Sequence, residues 1–272
     1  MANSIENALY VVATPIGNLE DITLRALEVL KNVDIVAAED TRTTSILFNH
    51  YNISTKLISY HKYSENSRIE LFLDYLKDGK SIALVSDAGT PLISDPGNIL
   101  VKNVIENGFK VIPIVGASAV IGLLSSVYRK GEDFKFIGFI EKGEKKIVET
   151  IQKNNCENLV FYESPNRLID TLSTIQKNYP TKTVTVAREL TKKFEEIKTD
   201  KIENIIEYYK NNILKGEIAV LLHKLDNKEE IDIIDKINKL KKLSLKDKEI
   251  SNILASLYDL NKKEIYNLCL KN

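Results

Sequence analysis

The stretch that decides the fold of this chain is residues 84–97, LVSDAGTPLISDPG. It follows the apolar run Ser81–Val85 and precedes a helical pattern, so it connects a predicted strand to a predicted helix. Ordinary turns reverse a chain in about two to five residues with one Gly or Pro, whereas this loop is longer and holds two carboxylates, Asp87 and Asp95. Open α/β sheets bind small molecules at such loops. The stretch therefore predicts an α/β fold with a ligand site beside it.

Short apolar runs alternate with helical patterns through the first part of the chain. One helix is indicated at Thr23–Lys31, with Asp21 or Thr23 as its cap. Strands that alternate with helices imply crossover connections, so we predict a mainly parallel sheet in a first domain, residues 1–116. The predicted strands are Leu9–Ala13, Val33–Ala38, Lys56–Tyr60, Ile82–Val85 and Lys110–Val115.

The alternation then restarts, which indicates a second α/β domain at residues 117–225, with a ligand cleft between the two domains. Ser164 and Pro165 fit the cap and first position of a helix. The predicted strands of this domain are Phe134–Ile140, Leu159–Tyr162, Thr183–Ala187 and Glu217–Leu222.

Residues 226–272 have a different texture, rich in Lys, Asp, Leu and Ile at helical spacing. We predict a small helical segment with two short helices around a turn at Asp259–Asn261. A packing bundle is favoured over an RNA-binding helix-turn-helix, because basic and acidic residues nearly cancel here and no basic stripe is present.

Composition gives little direct indication of function. The 272 residues include 38 basic and 38 acidic side chains, so net charge gives no pointer to nucleic acid or to an anionic membrane. Cys156 and Cys269 lie far apart, and the three histidines show no metal-ligand spacing. No apolar run approaches the ~20 residues of a membrane-spanning helix. We expect a soluble cytoplasmic protein without a metal.

Polar, Gly-rich segments recur directly after predicted strands, and in a parallel sheet such segments meet at one edge. Gly17 and Gly89 would let the backbone approach a ligand closely. The usual dinucleotide fingerprint and the P-loop motif are both missing from the sequence. Backbone amides, hydroxyls and carboxylates suit a ligand with hydroxyl groups and a cationic centre. The segments are TPIGN, EDTR, SDAGTPLISDPG, GASA, ESPNR and REL.

These segments, in this order from Leu9 to Leu222, resemble the ribosomal RNA small subunit methyltransferase I family, which belongs to the tetrapyrrole-methylase-like class. The resemblance implies two α/β domains, S-adenosylmethionine in the interdomain cleft and a homodimer. It also implies 2′-O-methylation of a cytidine ribose in the decoding region of 16S rRNA, in the small ribosomal subunit. One departure is Val115, where the family usually has proline before Gly-Ala-Ser-Ala.

The resemblance also gives roles to individual residues. The implied cofactor contacts are Thr14, Pro15, Gly17, Ser86, Asp87, Ala88, Gly89, Ile93, Ser118, Ala119, Phe161, Tyr162, Leu190, Ile218 and Ala219. For the apolar ones, core packing is an equally good interpretation. Asp87 and Asp95 also suit a helix cap or Asx turn, and Asp95 fits that role better.

Charged residues in the same loops are candidates for catalysis and RNA contact. Asp40, Glu39, Glu163 or Glu189 could act as general base, and the sequence does not single one out. The candidate substrate contacts are Arg42, Arg167, Arg188 and His61, since arginine grips phosphate with a planar fork and His61 either touches substrate or packs. Salt bridges are the alternative for each acid–arginine pair, and this is favoured for Glu189 with Arg188.

Two other functions remain open from the sequence. The first is a methyltransferase of the same class that acts on a tetrapyrrole or a modified amino acid. The second is a noncatalytic ribosome-associated scaffold, which would not bind S-adenosylmethionine. A nucleotide-dependent oxidoreductase is disfavoured by the missing dinucleotide fingerprint.

Overall fold

The structure is a computed structural model that describes residues 5–61, 65–154, 157–224, 233–258 and 261–271. Cys156, the predicted boundary at Asp226, and Asp259 and Leu260 of the predicted C-terminal turn lie outside these ranges. One compact unit ends at His223 and contains both sheets, and a second unit begins at Lys224.

The first sheet is parallel throughout, with the strand order β3-β2-β4-β1-β5. Every residue of β1, β2 and β4 is buried, which explains their continuous apolar sequences, because helices cover both faces of such a sheet. The strands are β1 (Ala8–Val12), β2 (Ile35–Ala38), β3 (Lys56–Ser59), β4 (Ile82–Val85) and β5 (Lys110–Ile114).

Helices of this domain pack in two layers against alternate residues of the strands. Tyr10 belongs to one hydrophobic core and its neighbour Leu9 to the other. Thr23, one of the two predicted caps, accepts the Ala26 N–H with its side chain. The helices are α1 (Leu24–Asn32), α2 (Thr41–His50), α3 (Glu65–Lys77) and α4 (Asn98–Glu106).

The second sheet is mixed, with the order β6-β7-β10-β8-β9. Only the β6–β7 pair is parallel among the described pairs, and β10 runs antiparallel to both β7 and β8. The strands are β6 (Phe134–Phe139), β7 (Asn158–Glu163), β8 (Thr183–Arg188), β9 (Glu196–Lys201) and β10 (Ile218–Leu222). The helices are α5 (Ala119–Ser125), which follows β5, and α6 (Glu144–Lys153), α7 (Pro165–Asn178) and α8 (Ile202–Asn211).

This mixed topology corrects the expectation that every loop reaches the cleft from the carboxyl end of a strand. Since β7 and β8 are both antiparallel to β10, their carboxyl ends share one edge, and β10 brings its amino end to that edge. The convergence of loops is preserved, and residues just before β10 join it.

The C-terminal unit contains the helices α9 (Ile233–Lys242), α10 (Asp247–Tyr258) and α11 (Lys262–Lys271). Ile237, Ile250, Leu254, Ile265 and Cys269 form its hydrophobic core. Within the described ranges, no helix has the length and apolar character needed to cross a membrane.

Candidate functional site

The loops after β1 and β4 are joined by backbone hydrogen bonds. Thr14 N–H donates to the Gly89 carbonyl at 2.9 Å, and Gly89 N–H donates to the Thr14 carbonyl at 3.0 Å. The φ of +78° at Gly89 is in the left-handed region that glycine adopts without strain. These bonds hold the opening SDAG segment against the TPIG segment at the edge of the first sheet.

The far end of the loop is shaped by Gly97, which occupies the cap position of α4 with a φ of +133°. A Cβ there would lie 2.7 Å from Leu84 Cδ2. Of the two roles considered for Asp95, the helix cap is therefore taken by Gly97 instead. The Asp95 carboxyl group lies half-buried beside Ser86, and burial raises its pKa above the usual aspartate value.

The loops of both domains enclose a first cavity of about 360 Å³. Its lining residues are Ile16, Ala88, Gly89, Thr90, Ile93, Ser94, Asp95, Ser118, Ala119, Phe139, Tyr162, Glu163, Ser164, Pro165, Ala187, Leu190, Gly216, Glu217, Ile218 and Ala219. The structure thus brings together many of the predicted cofactor contacts: Ala88, Gly89, Ile93, Ser118, Ala119, Tyr162, Leu190, Ile218 and Ala219.

Aromatic and small residues form the second-domain wall of the first cavity. The rings of Phe139 and Tyr162 meet edge to face with centroids 5.5 Å apart. Burial raises the pKa of Tyr162 to about 12, so its phenol is neutral. Ser118, which lines the same cavity, caps α5 by accepting the Ile121 N–H at 3.5 Å.

A second cavity of about 220 Å³ lies next to the first and shares Ile16, Ala88 and Glu217 with it. The predicted cofactor contacts Thr14, Pro15, Gly17, Ser86 and Asp87 line this second cavity and not the first. Its remaining lining residues are Leu19, Thr43, Thr44, Ile46, Leu47 and Lys192.

Three carboxylates meet where β2 and β4 end. Asp87 accepts the Asp40 N–H at 3.2 Å, and the Asp87 N–H donates to Glu39 Oε2 at 3.3 Å. Burial, followed by repulsion from Asp40, raises the pKa of Asp87, and burial also raises the pKa of Glu39. Hydrogen bonds from Arg42 hold the pKa of Asp40 at about 2. Asp87 and Glu39 are thus better proton acceptors than Asp40.

Asp40 and Arg42 form the salt bridge that was the alternative to an RNA contact. Arg42 Nε donates to Asp40 Oδ1 at 3.0 Å. The Arg42 backbone N–H donates to the same oxygen at 2.8 Å, so Asp40 also caps α2. The Arg42 side chain remains 89% exposed, so one face of its guanidinium group is open to a phosphate.

Gly17 also marks a close approach between two parts of the chain. A Cβ on Gly17 would lie 2.4 Å from Lys192 Cγ and 2.9 Å from the Leu190 carbonyl oxygen. The neighbouring Asn18 N–H donates to Thr191 Oγ1 at 3.0 Å. The close approach is therefore between the first-domain TPIG loop and the second-domain loop after β8.

Glu163 is fully engaged inside the second domain. Its carboxylate accepts the Ser164 N–H and the Thr171 hydroxyl, both at 2.7 Å, and pairs with Arg167 at 3.2 Å. Its side chain is 0% exposed. Arg167 also donates to the Ile140 carbonyl at 3.1 Å, so this pair ties α7 to the end of β6.

We expect Glu163→Gln to lower stability rather than to abolish catalysis. Removing the buried carboxylate of such an ion pair costs about 3 kcal/mol, because Arg167 loses its charged partner. Urea unfolding of the variant should show a midpoint well below that of the unchanged protein. At a temperature where both are folded, catalytic activity should fall by less than tenfold, and a complete loss of turnover would contradict this assignment.

The other predicted residues lie outside both cavities. Phe161 is buried in the hydrophobic core of the second domain, on the opposite face of β7 from Tyr162. The predicted Arg188–Glu189 salt bridge is not formed, because Arg188 faces Glu196 at 3.7 Å while Glu189 pairs with Lys192 at 2.9 Å. His61 is exposed two residues after β3.

Sequence reasoning missed the segment just before β10. A Cβ on Gly216 would meet the Glu189 carboxyl carbon at 2.3 Å, and Gly216 has a φ of +95°. The Glu217 N–H donates to Glu189 Oε1 at 2.9 Å. The glycine in LKGEIAV was the available signal, since a lone Gly before a strand marks close backbone approach.

Comparison with known proteins identifies similar chains. The model of the family Tetrapyrrole (Corrin/Porphyrin) Methylases matches residues 8–206. The ribosomal RNA small subunit methyltransferase I of Halalkalibacterium halodurans is 38% identical over 273 residues, covering 97% of this chain and 94% of that protein. Its Bacillus subtilis counterpart is 43% identical over 227 residues, covering 82% of this chain and 77% of that protein.

A solved structure supports the same fold. Uroporphyrin-III C-methyl transferase from Thermus thermophilus, complexed with S-adenyl homocysteine, matches with a TM-score of 0.56 and 16% identity. The match covers 79% of this chain and 96% of that one.

Proposed function

We propose, since this chain belongs to the tetrapyrrole methylase family and to its ribosomal RNA small subunit methyltransferase I branch, that it methylates 16S rRNA with S-adenosylmethionine as methyl donor. The proposed acceptor is the 2′-hydroxyl of a cytidine ribose in the decoding region of the small subunit. The observation that carries the proposal is the first cavity, which the loops of both domains enclose.

The first cavity has the chemistry that S-adenosylmethionine needs. Its volume of about 360 Å³ is within the range of about 300–1,000 Å³ typical of small-molecule sites. Ile93, Phe139 and Leu190 offer apolar walls for an adenine ring. Asp95 has no basic partner among the described residues, so its carboxylate suits the positive charges of this cofactor. When bound, S-adenosylmethionine supplies a methyl group attached to a positively charged sulfur.

The residues of the chain would align the reacting groups and accept one proton. The ribose oxygen gains the methyl group and loses its hydrogen, so a base within hydrogen-bond reach contributes about 10²–10⁴-fold. We assign this role to Asp87, because it lines the second cavity and its pKa is raised. Asp40 and Glu39 position it through the two hydrogen bonds described above.

Three further features belong to the same proposal. We propose a homodimer that acts in the cytoplasm on the assembled small subunit. The neutral net charge supports a particle as substrate, because free RNA is gripped mainly through neutralised phosphates. Arg42 is the proposed phosphate contact with the most exposed side chain.

Mapping ribose methylation on small subunits incubated with the protein and S-adenosylmethionine tests the function. We expect one new 2′-O-methylcytidine in 16S rRNA and much weaker methylation of a short free oligonucleotide. Isothermal calorimetry with S-adenosylmethionine is the parallel measurement. Cofactor binding without any rRNA product would point to the tetrapyrrole or amino-acid alternative, and no binding at millimolar cofactor would point to the scaffold.

A further inference from the structure

We propose that the second cavity binds the ribose and phosphate of the acceptor nucleotide. This inference rests on the proposed function and adds the place where the substrate binds. The first domain lines this cavity with the TPIG loop, the first turns of α2 and the SDAG segment. Lys192 and Glu217 line it from the second domain.

The second cavity lies where an acceptor must bind. Reacting atoms in a bound pair of substrates lie about 3–3.5 Å apart, so the acceptor oxygen must lie in direct contact with the ligand of the first cavity. The second cavity shares Ile16, Ala88 and Glu217 with the first. Ligands bound in the two cavities would therefore be neighbours beside these three residues.

The size of the second cavity suits part of a nucleotide. At about 220 Å³ the second cavity is smaller than the range of about 300–1,000 Å³ in which whole small molecules usually bind. It has room for part of a nucleotide, while the rest of an RNA chain stays outside.

The polar groups that line the second cavity also suit a nucleotide. Lys192 Nζ carries three protons and donates to Glu189 at 2.9 Å and to Glu217 at 3.1 Å, which leaves one proton for a ligand oxygen among the described contacts. Thr43, on the exposed first turn of α2, offers a hydroxyl group. Asp87 also lines this cavity and would serve as the base that accepts the proton of a ribose hydroxyl.

The second cavity also has an exposed apolar lining residue, which can be substituted to test the proposal. Ile46 is 65% exposed although it is a large apolar residue on α2, and it lines the second cavity but not the first. Its side chain offers a surface for the carbon face of a sugar. A carboxylate at this position would repel a phosphate without disturbing a buried core.

The experiment compares Ile46→Glu with Ile105→Glu, an isoleucine that is 59% exposed on α4 and lines neither cavity. Like-charge repulsion should raise the KM for small subunits about tenfold or more in Ile46→Glu, with an unchanged Kd for S-adenosylmethionine. Cytidine 5′-monophosphate, titrated by NMR, should bind the unchanged protein at millimolar concentration and bind Ile46→Glu about tenfold more weakly. Ile105→Glu should behave as the unchanged protein in all three measurements.

Thr43→Val is a second variant that keeps the side-chain shape, with Thr41→Val on the same helix turn as its control. A KM that rises in the first and not in the second supports the proposal. Unchanged nucleotide binding in Ile46→Glu, or displacement of the nucleotide by S-adenosylhomocysteine, would overturn the subsite whatever the activity. Nucleotide binding that depends on Ile46 in a protein that methylates no rRNA would keep the subsite and overturn the proposed function.

Discussion

Asp87→Asn should lower kcat for rRNA methylation by about 10²–10⁴-fold, the usual contribution of a positioned general base. The amide cannot take the ribose proton, but its oxygen can still accept the Asp40 N–H that Asp87 accepts at 3.2 Å. The loop geometry should therefore survive. Single-turnover methyl transfer on small subunits measures the loss, and calorimetry should show nearly unchanged binding of S-adenosylmethionine.

The pH profile separates a base from a merely structural carboxylate. Burial raises the pKa of Asp87 above the 3.8 of an ordinary aspartate. The ionised form is the active one, so activity should be constant at pH values above the raised pKa and should fall as the pH drops through it. Asp87→Asn should lose this acid limb together with its rate.

The control for this variant is Asp78→Asn, an exposed carboxylate directly after α3 that lines neither cavity. It should leave both the rate and the acid limb unchanged. An Asp87→Asn variant with full turnover and the original pH profile would remove Asp87 from the proton-transfer step and direct attention to Glu39.

The sequence predicted the first domain well because its strands are buried on both faces and therefore appear as uninterrupted apolar runs. It failed at β9, whose sequence EIKTDK has no clear alternation and forms the edge of the second sheet. Pairing with β8 defines that strand, and such tertiary context is not visible in local propensity.

In the candidate site, too, some residues could be predicted from the sequence and others could not. The first-cavity residues Ser118 and Ala119 could be predicted from their place after a strand, as could Gly89. The roles of Glu163 and Gly17 could not, because they depend on which side chains the fold brings against them: Thr171 and Arg167 on the following helix in one case, and the distant Lys192 in the other. Residue type indicates what a side chain can do, and only the fold shows which partner it meets.

Ala119→Phe should weaken S-adenosylmethionine binding by about 10- to 100-fold. Ala119 is the first residue of α5, is partly exposed and lines the first cavity, so a larger side chain would extend into space that the cofactor needs. Forcing extra side-chain volume into a filled site costs about 1–3 kcal/mol, and each 1.4 kcal/mol is about tenfold in affinity. Isothermal calorimetry gives the change in Kd directly.

Ile121→Phe is the matched control, because Ile121 lies on the same helix, is 56% exposed and lines neither cavity. Its Kd for S-adenosylmethionine should equal that of the unchanged protein. The two variants should also differ in binding of cytidine 5′-monophosphate much less than in cofactor binding, since Ala119 does not line the second cavity. A normal cofactor Kd in a folded Ala119→Phe protein would place the methyl donor outside the first cavity, and the assignment of both cavities would then fail together.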